Sequence, residues 1–437
     1  MTAALLTINR RAFASLRMHR NYRLYFLGQA ISQSGTWIDK VAQAWLVLAL
    51  THSAFAVGLL AACQFVPFSV LGLIGGVIVD RLDTWRTVVV TQAVRMVIAG
   101  VIVDRLDTRR TVVVTQAIRM VLAATLAGIV LGGVVQVWMV YTLAVLTGIV
   151  LVLDAPSRQQ LTFKMVGRDE LPNAVALNSS LFNAARIVGP GVGGLLIAAF
   201  GVGPAFAINA ASFVAVLVGL LLMDTSTFVE FAPHEHLPTL FGSLREGVSY
   251  ARGSPHVRLV LTMLVAISTI ALNFNVLLPV LARQTLSSGP SVFGLIAACF
   301  GAGALVGGLL SATLSRASWK AILAGAGGLG VAELVLAPLH SLGPAIVLLF
   351  LIGVFFTLYT ANSNTVLQLR APDHLRGRVI GFYYFAFNGL APLGGILTGW
   401  LAATGGTELA FAVAGTVTAL VALTALPQVP RMRAEPA

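Results

Sequence analysis

Charge is scarce in this chain. Of its 437 residues only 10% are Asp, Glu, Lys or Arg, where soluble domains carry about 25%. So few charges cannot cover the surface of a soluble protein of this length. Cysteine is nearly absent: Cys63 and Cys299 both fall in apolar runs, which excludes a disulfide framework or a cysteine zinc site. The 7 histidines are scattered and form no ligand pair. No G-x-x-x-x-G-K-S/T, G-x-S-x-G or H-E-x-x-H pattern occurs, so there is no phosphate-binding loop, nucleophile elbow or zinc-protease helix. No enzyme activity, metal or cofactor is expected, and any active process must draw on an ion gradient or on the substrate's own gradient.

Acidic residues are the scarcer sign, 16 against 28 basic, for a net charge of +12. Such a balance suits nucleic-acid binders and also membrane proteins, whose cytoplasmic loops retain Lys and Arg. What the chain has in abundance decides between them. It is 57% hydrophobic, with a mean hydropathy of +0.90. Apolar runs follow one another at roughly 24–50, 55–79, 111–132, 137–157, 172–199, 203–223, 257–282, 290–314, 321–339, 343–369, 379–402 and 407–426, each near the ~20 residues that a membrane-spanning helix needs. The first is too long for a signal-peptide core. With both termini inside, 23 of the 28 Lys and Arg residues fall in cytoplasmic segments, and Arg283 alone falls outside. The bias is the one that membrane insertion imposes, and it removes the need for a nucleic-acid partner.

The expected architecture is an all-α polytopic membrane protein with twelve transmembrane helices in two six-helix, pseudo-symmetric halves. A basic cytoplasmic N-terminus (1–23) precedes the N-terminal half (24–223). The longest polar stretch (224–256) is expected to be a cytoplasmic linker whose second part forms a surface helix. The C-terminal half (257–426) and a cytoplasmic tail (427–437) follow. The halves echo each other: Arg17 and Arg23-Leu24 before the first span match Arg252 and Arg258-Leu259 before the seventh, and Asp169-Glu170-Leu171 before the fifth matches Asp373-His374-Leu375 before the eleventh.

A second repeat is nearly exact in sequence. Residues 77–100 read VIVDRLDTWRTVVVTQAVRMVIAG and residues 101–124 read VIVDRLDTRRTVVVTQAIRMVLAA. The duplicated block, 77–124, spans one loop and the start of one helix. A recent genetic duplication and a sequence artefact would both produce it. Its apolar part, Thr87–Val103, has only 17 residues and carries Arg95, so no additional crossing is expected. Both DRLDT loops should then lie on the cytoplasmic face.

These segments carry a resemblance to transporters of the major facilitator superfamily, and within it to the bacterial branch of the enterobactin exporter and macrolide efflux proteins, over about residues 10–425. The family's G-x-x-x-D-R loop motif appears as Gly76-x-x-x-Asp80-Arg81 and again as Gly100-x-x-x-Asp104-Arg105, followed by Arg109 and Arg110. Asp83-Thr84 and Asp107-Thr108 stand where the family pattern has a glycine and a basic residue. The resemblance implies a cytoplasmic gate in which Asp80 or Asp104 meets Arg376 or Arg378 at the start of helix 11. The fifth span carries Gly189-Pro190-x-x-Gly193-Gly194 after Arg186, similar to the tail of the family's antiporter signature, with Ala185 in place of its upstream glycine. The proline kinks the helix and frees a carbonyl, and the glycines permit close helix packing.

Ionisable groups inside the spans cost about 2.5–3.5 kcal/mol each on insertion scales, so they face a cavity or a partner. Asp39, Lys40, Arg119, Asp154, Arg186 and Glu333 are such groups. Asp39, Glu333 and Asp154 are the candidates for proton coupling. Candidate cavity residues are Gln33, Trp37, Asn273, Tyr359, Asn362, Tyr384 and Asn388, beside Gln29, Gln43, Asn275, Phe355 and Tyr383. The expected function is secondary active export of an amphiphilic small molecule of the drug or siderophore type, by proton antiport and alternating access. Its partners are then the substrate, protons and the lipid bilayer, in a monomer of the bacterial inner membrane. An importer on the same scaffold and a non-transporting membrane scaffold are the alternatives.

Overall fold

The computed structural model describes residues 13–78, 108–229, 240–313, 318–372 and 375–429. Eight described helices are long and apolar enough to cross a membrane. Two of them contain two spans each: Val137–Phe200 is broken at Gly167, with φ 71°, and the helix ending at Ala425 is broken at Gly405 and at Gly406, with φ 69°. A left-handed residue is a place where glycine costs nothing. Eight helices therefore supply ten spans. Arg20–Thr51 and Ala54–Ile78 complete twelve. The first of these is less apolar than the others, because Gln29, Gln33, Asp39, Lys40 and Gln43 interrupt it.

The spans are α1 (Arg20–Thr51), α2 (Ala54–Ile78), α3 (Thr108–Leu131), α4 (137–166), α5 (168–200), α6 (Val202–Leu221), α7 (Pro255–Thr285), α8 (Pro290–Thr313), α9 (Trp319–Leu336), α10 (Leu342–Arg370), α11 (376–404) and α12 (407–425). Their ends lie close to those expected from the apolar runs, with one exception. The fourth span was expected to stop at 157, yet α4 continues to 166 through Pro156. Proline is tolerated within a span when neighbouring groups satisfy the freed backbone. Past the proline, the hydroxyls of Ser157 and Thr162 donate back to the carbonyls of Leu153 and Arg158 at 2.9 Å. An Asp154–Arg158 ion pair one turn apart braces the same stretch.

Alternation of the spans puts the first and last described residues, Phe13 and Val429, on one end of the bundle, with Arg20, Arg109, Arg168, Arg252, Lys320 and Arg376; this is the basic end. The opposite, distal end carries His52, Arg283, His340 and Glu408. Large apolar side chains such as Leu131, Leu195, Phe200 and Leu309 remain outward and exposed, as suits a lipid-facing belt. At the basic end a helix, Leu240–Gly253, occupies the second part of the expected linker. It is pinned by Tyr250, whose hydroxyl donates to Arg370 O at 2.6 Å, and by an ion pair between Glu246 and Arg378. The preceding junction is closed by Asp224, which accepts from Ser226 N and Oγ; these bonds hold its carboxyl below the usual carboxylate range.

The two halves meet along α2 with α11 and α5 with α8. Glycine makes the approach possible. A Cβ placed on Gly194 would stand 2.6 Å from Pro290 O and 2.8 Å from Gly294 Cα, and one on Gly399 would stand 3.0 Å from Ala54 O. Backbones this close gain dispersion that any side chain would forfeit.

Candidate functional site: a mid-depth cavity and a buried charge network

The contacts that join the halves gather at the distal end and at mid-depth. Trp45 of α1 stacks on Phe293 of α8 at 6.1 Å, and Arg283 of α7 lies over the same indole at 5.2 Å. Gln284 donates to His52 O at 3.3 Å. Deeper, Ser69 of α2 donates to Gly389 O of α11 at 2.7 Å. Beneath the Trp45–Phe293 plug lies a cavity shared by both halves, lined by Trp37, Lys40, Gln64 and Pro190 on one side and by Phe274, Asn275 and Phe293 on the other.

The antiporter-like segment of α5 grips both halves here. Gly189 abuts Trp37, and a Cβ on Gly193 would reach Ile38 Cα at 3.2 Å, so these two glycines seat α5 on α1. Gly194 instead seats it on α8, across the interface. Pro190 reaches the cavity wall. Arg186, one turn before the kink, crosses to the other half and lies over Phe300 at 5.0 Å and Phe356 at 5.3 Å. Lys40 lies over Trp37 at 4.4 Å.

A second network runs inside the N-terminal half. Gln64, on the cavity wall, donates to Gln43 at 3.1 Å, and Gln43 donates to Asp39 Oδ2 at 2.7 Å. Asp39 Oδ1 is buried without a hydrogen bond, Asn209 faces the carboxylate, and Arg119 and Lys40 are the cations that act on it. Arg119 also reaches Asp154 Oδ2 at 3.4 Å. Asp154 is fully buried and accepts from Thr115 at 2.8 Å, from Gln116 at 2.7 Å and from Arg158 at 2.9 Å. Arg158 in turn donates to Gln29 at 3.1 Å. Gln29 and Arg158 line a second cavity near the basic end, with Tyr25, Gln33 and Asn178. Side chains from α1, α2, α3 and α4 therefore link the mid-depth cavity to the basic-end cavity.

Of the other residues singled out in the sequence, Trp37 and Asn275 face the mid-depth cavity, and Gln29 and Gln33 face the second. Asn273 bonds Thr269 O at 3.0 Å beside Gly394. Asn362 joins α10 to Ser311 of α8 at 3.2 Å. Tyr359 is fully buried against Gly325 of α9. Tyr383 donates to Thr360 O at 3.1 Å, Asn388 donates to Tyr384 O at 3.4 Å, and Tyr384 is exposed. Glu333 is fully buried, its two oxygens have no hydrogen-bond partner among the described residues, and it lines neither cavity.

Of the expected gate, Asp80, Arg81, Gly100, Asp104 and Arg105 lie outside the described residues, and Gly76 falls in α2. Arg109 donates to Leu220 O at 2.7 Å and Leu221 O at 2.9 Å, capping the C-terminus of α6 where carbonyls are left over. Arg110 is exposed at the start of α3. Arg376 donates to Gln368 O at 3.2 Å, and Arg378 pairs with Glu246.

Trp45, Phe293, Arg283 and Arg158 were not singled out in the sequence. Two signals were present: Arg283 is the lone cation on the outer face, and Asp154 and Arg158 are four residues apart on one helix.

A sequence profile described as transmembrane secretion effector, of the major facilitator superfamily, matches residues 10–99 and 93–436. The two matches meet within the first copy of the duplicated block, where the additional residues interrupt the family's pattern. The chain is 28% identical to the multidrug efflux pump Tap of Mycolicibacterium fortuitum, over 86% of this chain and 88% of that one. It is 22% identical to the staphyloferrin A transporter of Staphylococcus aureus, over 92% and 94%. In fold it is similar to the peptide-transporter-family structure PepTSo, with a TM-score of 0.70 at 13% identity, covering 95% of this chain and 99% of that one.

Proposed function

Because the chain belongs to the transmembrane secretion effector family of the major facilitator superfamily, and is a membrane transporter rather than an enzyme, we propose that it exports an amphiphilic small molecule of the drug or siderophore type by proton antiport and alternating access. The observation that carries this reading is the cavity between the halves, roofed at the distal end by the Trp45–Phe293 stack and the glycine contacts. In this assignment the basic end and both termini are cytoplasmic, and the protein works as a monomer in the bacterial inner membrane. Substrate enters from the cytoplasm to mid-depth, and rocking of the halves opens the distal seal. The names of the relatives, an efflux pump and a siderophore transporter, support the class of cargo and the outward direction.

Coupling rests on the network in the N-terminal half. Asp154 accepts from Thr115, Gln116, Arg119 and Arg158 and is the hub that holds the network together. Asp39 has one oxygen held by Gln43 and one bare, which leaves it free to exchange a proton. Gln43 and Gln64 tie Asp39 to the wall of the mid-depth cavity, where it exchanges its proton with solvent. Arg119, Asp154 and Arg158 tie the same network to the second cavity. When Arg119 bears on Asp39 the charged form is favoured and the proton leaves; when the halves rock and that balance shifts, it returns.

The test is a panel of drug-like and siderophore-like compounds in proteoliposomes with an imposed pH gradient. Uphill flux of one compound that collapses with the gradient is expected. Flux indifferent to the gradient removes proton antiport from the mechanism.

A further inference from the structure

Two cations at mid-depth stand outside every ion pair among the described residues. Arg186 and Lys40 make no ion pair and donate no hydrogen bond among the described residues; each rests only on aromatic faces. Both lie about two-fifths of a span from the distal end, roughly 16–21 Å along their helices at 1.5 Å per residue. They act on each other electrostatically as like charges. Asp39, the residue before Lys40, acts on it through space as the opposite charge, yet its carboxylate is taken up by Gln43 and turned toward Asn209 and Arg119 within the N-terminal half. By contrast, Arg119 and Arg158 both bond Asp154.

An unpaired cation at bilayer depth is costly, and two that repel each other cost more. The surrounding rings offset only part of this, because a cation–π contact is weaker than a charge-assisted hydrogen bond. Phe274 of the cavity wall packs on Phe300 and Phe356, the rings that carry Arg186, with centroids 4.6–6.2 Å apart. A cavity with Lys40 and aromatic rings in its wall, and Arg186 on the rings behind it, suits a molecule with a flat apolar body and a negative group.

We propose that the mid-depth cavity is a binding site for an amphiphilic organic anion, whose carboxylate, sulfonate or phenolate pairs with Lys40 in its wall and with Arg186, which no carboxylate among the described residues reaches. This rests on the export reading for its direction and adds a driving force to it, because a membrane potential negative inside pushes an anion outward. It also assigns Arg186 a binding role that spans the interface: held on α5 and reaching α8 and α10, it ties the bound anion to both moving halves.

The test uses two probes with one fluorophore and opposite charge, dansylglycine and dansylcadaverine, on the full-length protein in lipid nanodiscs. Energy transfer from tryptophan reports the bound dansyl group. The parent should bind the anion about 10-fold or more tightly than the cation, in keeping with a hydrogen bond to a charged group. Arg186→Gln should lose about that factor for dansylglycine and not for dansylcadaverine, while Arg186→Lys retains most of it. Equal affinities, a preference for the cation, or no saturable binding of either probe by the parent overturns the proposal. So does unchanged anion affinity in a folded Arg186→Gln protein. Loss of gradient-driven flux with intact probe selectivity would instead overturn proton-coupled export and leave the anion site standing.

Discussion

The two halves share a fold and fill it with different chemistry. The N-terminal half is held at mid-depth by charges and amides: Asp39, Arg119, Asp154 and Arg158, with Gln29, Gln43, Gln64, Gln116 and Asn209 around them. The C-terminal half at the same depth is held by rings, from Phe274 through Phe300 and Phe356 to Phe387 and Tyr383. Its one fully buried carboxyl in a described span, Glu333, is set apart from them with no hydrogen-bond partner among the described residues. Hydrogen-bonded charges are directional, and each depends on all its partners. Ring contacts are weaker one by one and tolerate small shifts. A rocking transporter needs both kinds of material. One half can carry a titrating group in fixed geometry, and the other can present an apolar wall that accepts varied substrate shapes.

The comparison is broken most severely at Asp154. Its carboxylate neutralises Arg119 and Arg158 at once, so Asp154→Asn leaves two cations facing each other in a buried site. Removing one member of a buried ion pair costs about 3–5 kcal/mol, and a large fall in thermal stability in detergent is expected. Arg158→Ala alone should also destabilise, but the double variant should be less damaged than the sum of the two, because the charges are removed together. An additive double variant would mean that the cluster does not act as a unit.

The next largest effect separates transport from stability. Asp39→Asn should abolish gradient-driven flux in proteoliposomes while downhill exchange persists, with a melting temperature close to the parent's. The amide keeps the shape of the carboxylate and can still bond Gln43, and no salt bridge is lost. Undiminished uphill flux by this variant would remove Asp39 from the coupling path and leave the polar half with a structural role only.

How far this contrast could be read in advance depends on what each residue reports. The twelve spans were legible because apolar length is a one-dimensional signal. The end of α4 was not, since Pro156 looks like a terminator until the Asp154–Arg158 pair and the serine and threonine back-bonds around it are known. Arg186, Gly189, Pro190, Gly193 and Gly194 were legible as a motif, yet nothing in their order says that Gly189 and Gly193 meet α1 while Gly194 meets α8. Polar residues in spans were the hardest to sort. Trp37 and Asn275 face the cavity, whereas Asn362 and Tyr359 turn into helix packing. Residue type is the same in both outcomes, and only the helix face differs.

A third test loosens the seam between the halves. Gly194 sits where a Cβ would already collide with Pro290 O and Gly294, so Gly194→Leu should wedge α5 from α8 at the distal end. On the proposed topology, a cysteine at Trp37 in that background should react from outside intact cells with a membrane-impermeant maleimide several-fold faster than the same cysteine with Gly194 intact. A matching leucine at Gly191, where the nearest neighbour is Ala298 Cβ at 3.7 Å, should open the seal less. Equal labelling with and without the wedge would mean that the glycine contacts do not close the distal side.

The smallest effect is expected at Glu333, and it sharpens the comparison from the other side. This carboxyl is fully buried near the distal end of α9, with neither oxygen hydrogen-bonded among the described residues. The packing around it is apolar and tight: Gly330, one turn away, meets α12 at Gly415 and Ala419. A buried polar group without partners costs about 1–3 kcal/mol relative to an apolar group of similar shape. Glu333→Leu should therefore leave stability unchanged or raise it by about 1 kcal/mol, since the branched side chain recovers part of that cost and gives some back as strain. Gradient-driven flux should match the parent's, because Glu333 lines neither cavity and joins no chain of donors. Thermal unfolding and flux measured on the same preparation check both halves of this expectation. A stable Glu333→Leu protein that no longer couples flux to the gradient would place a proton-carrying group in the ring-filled half and end the division of labour drawn here.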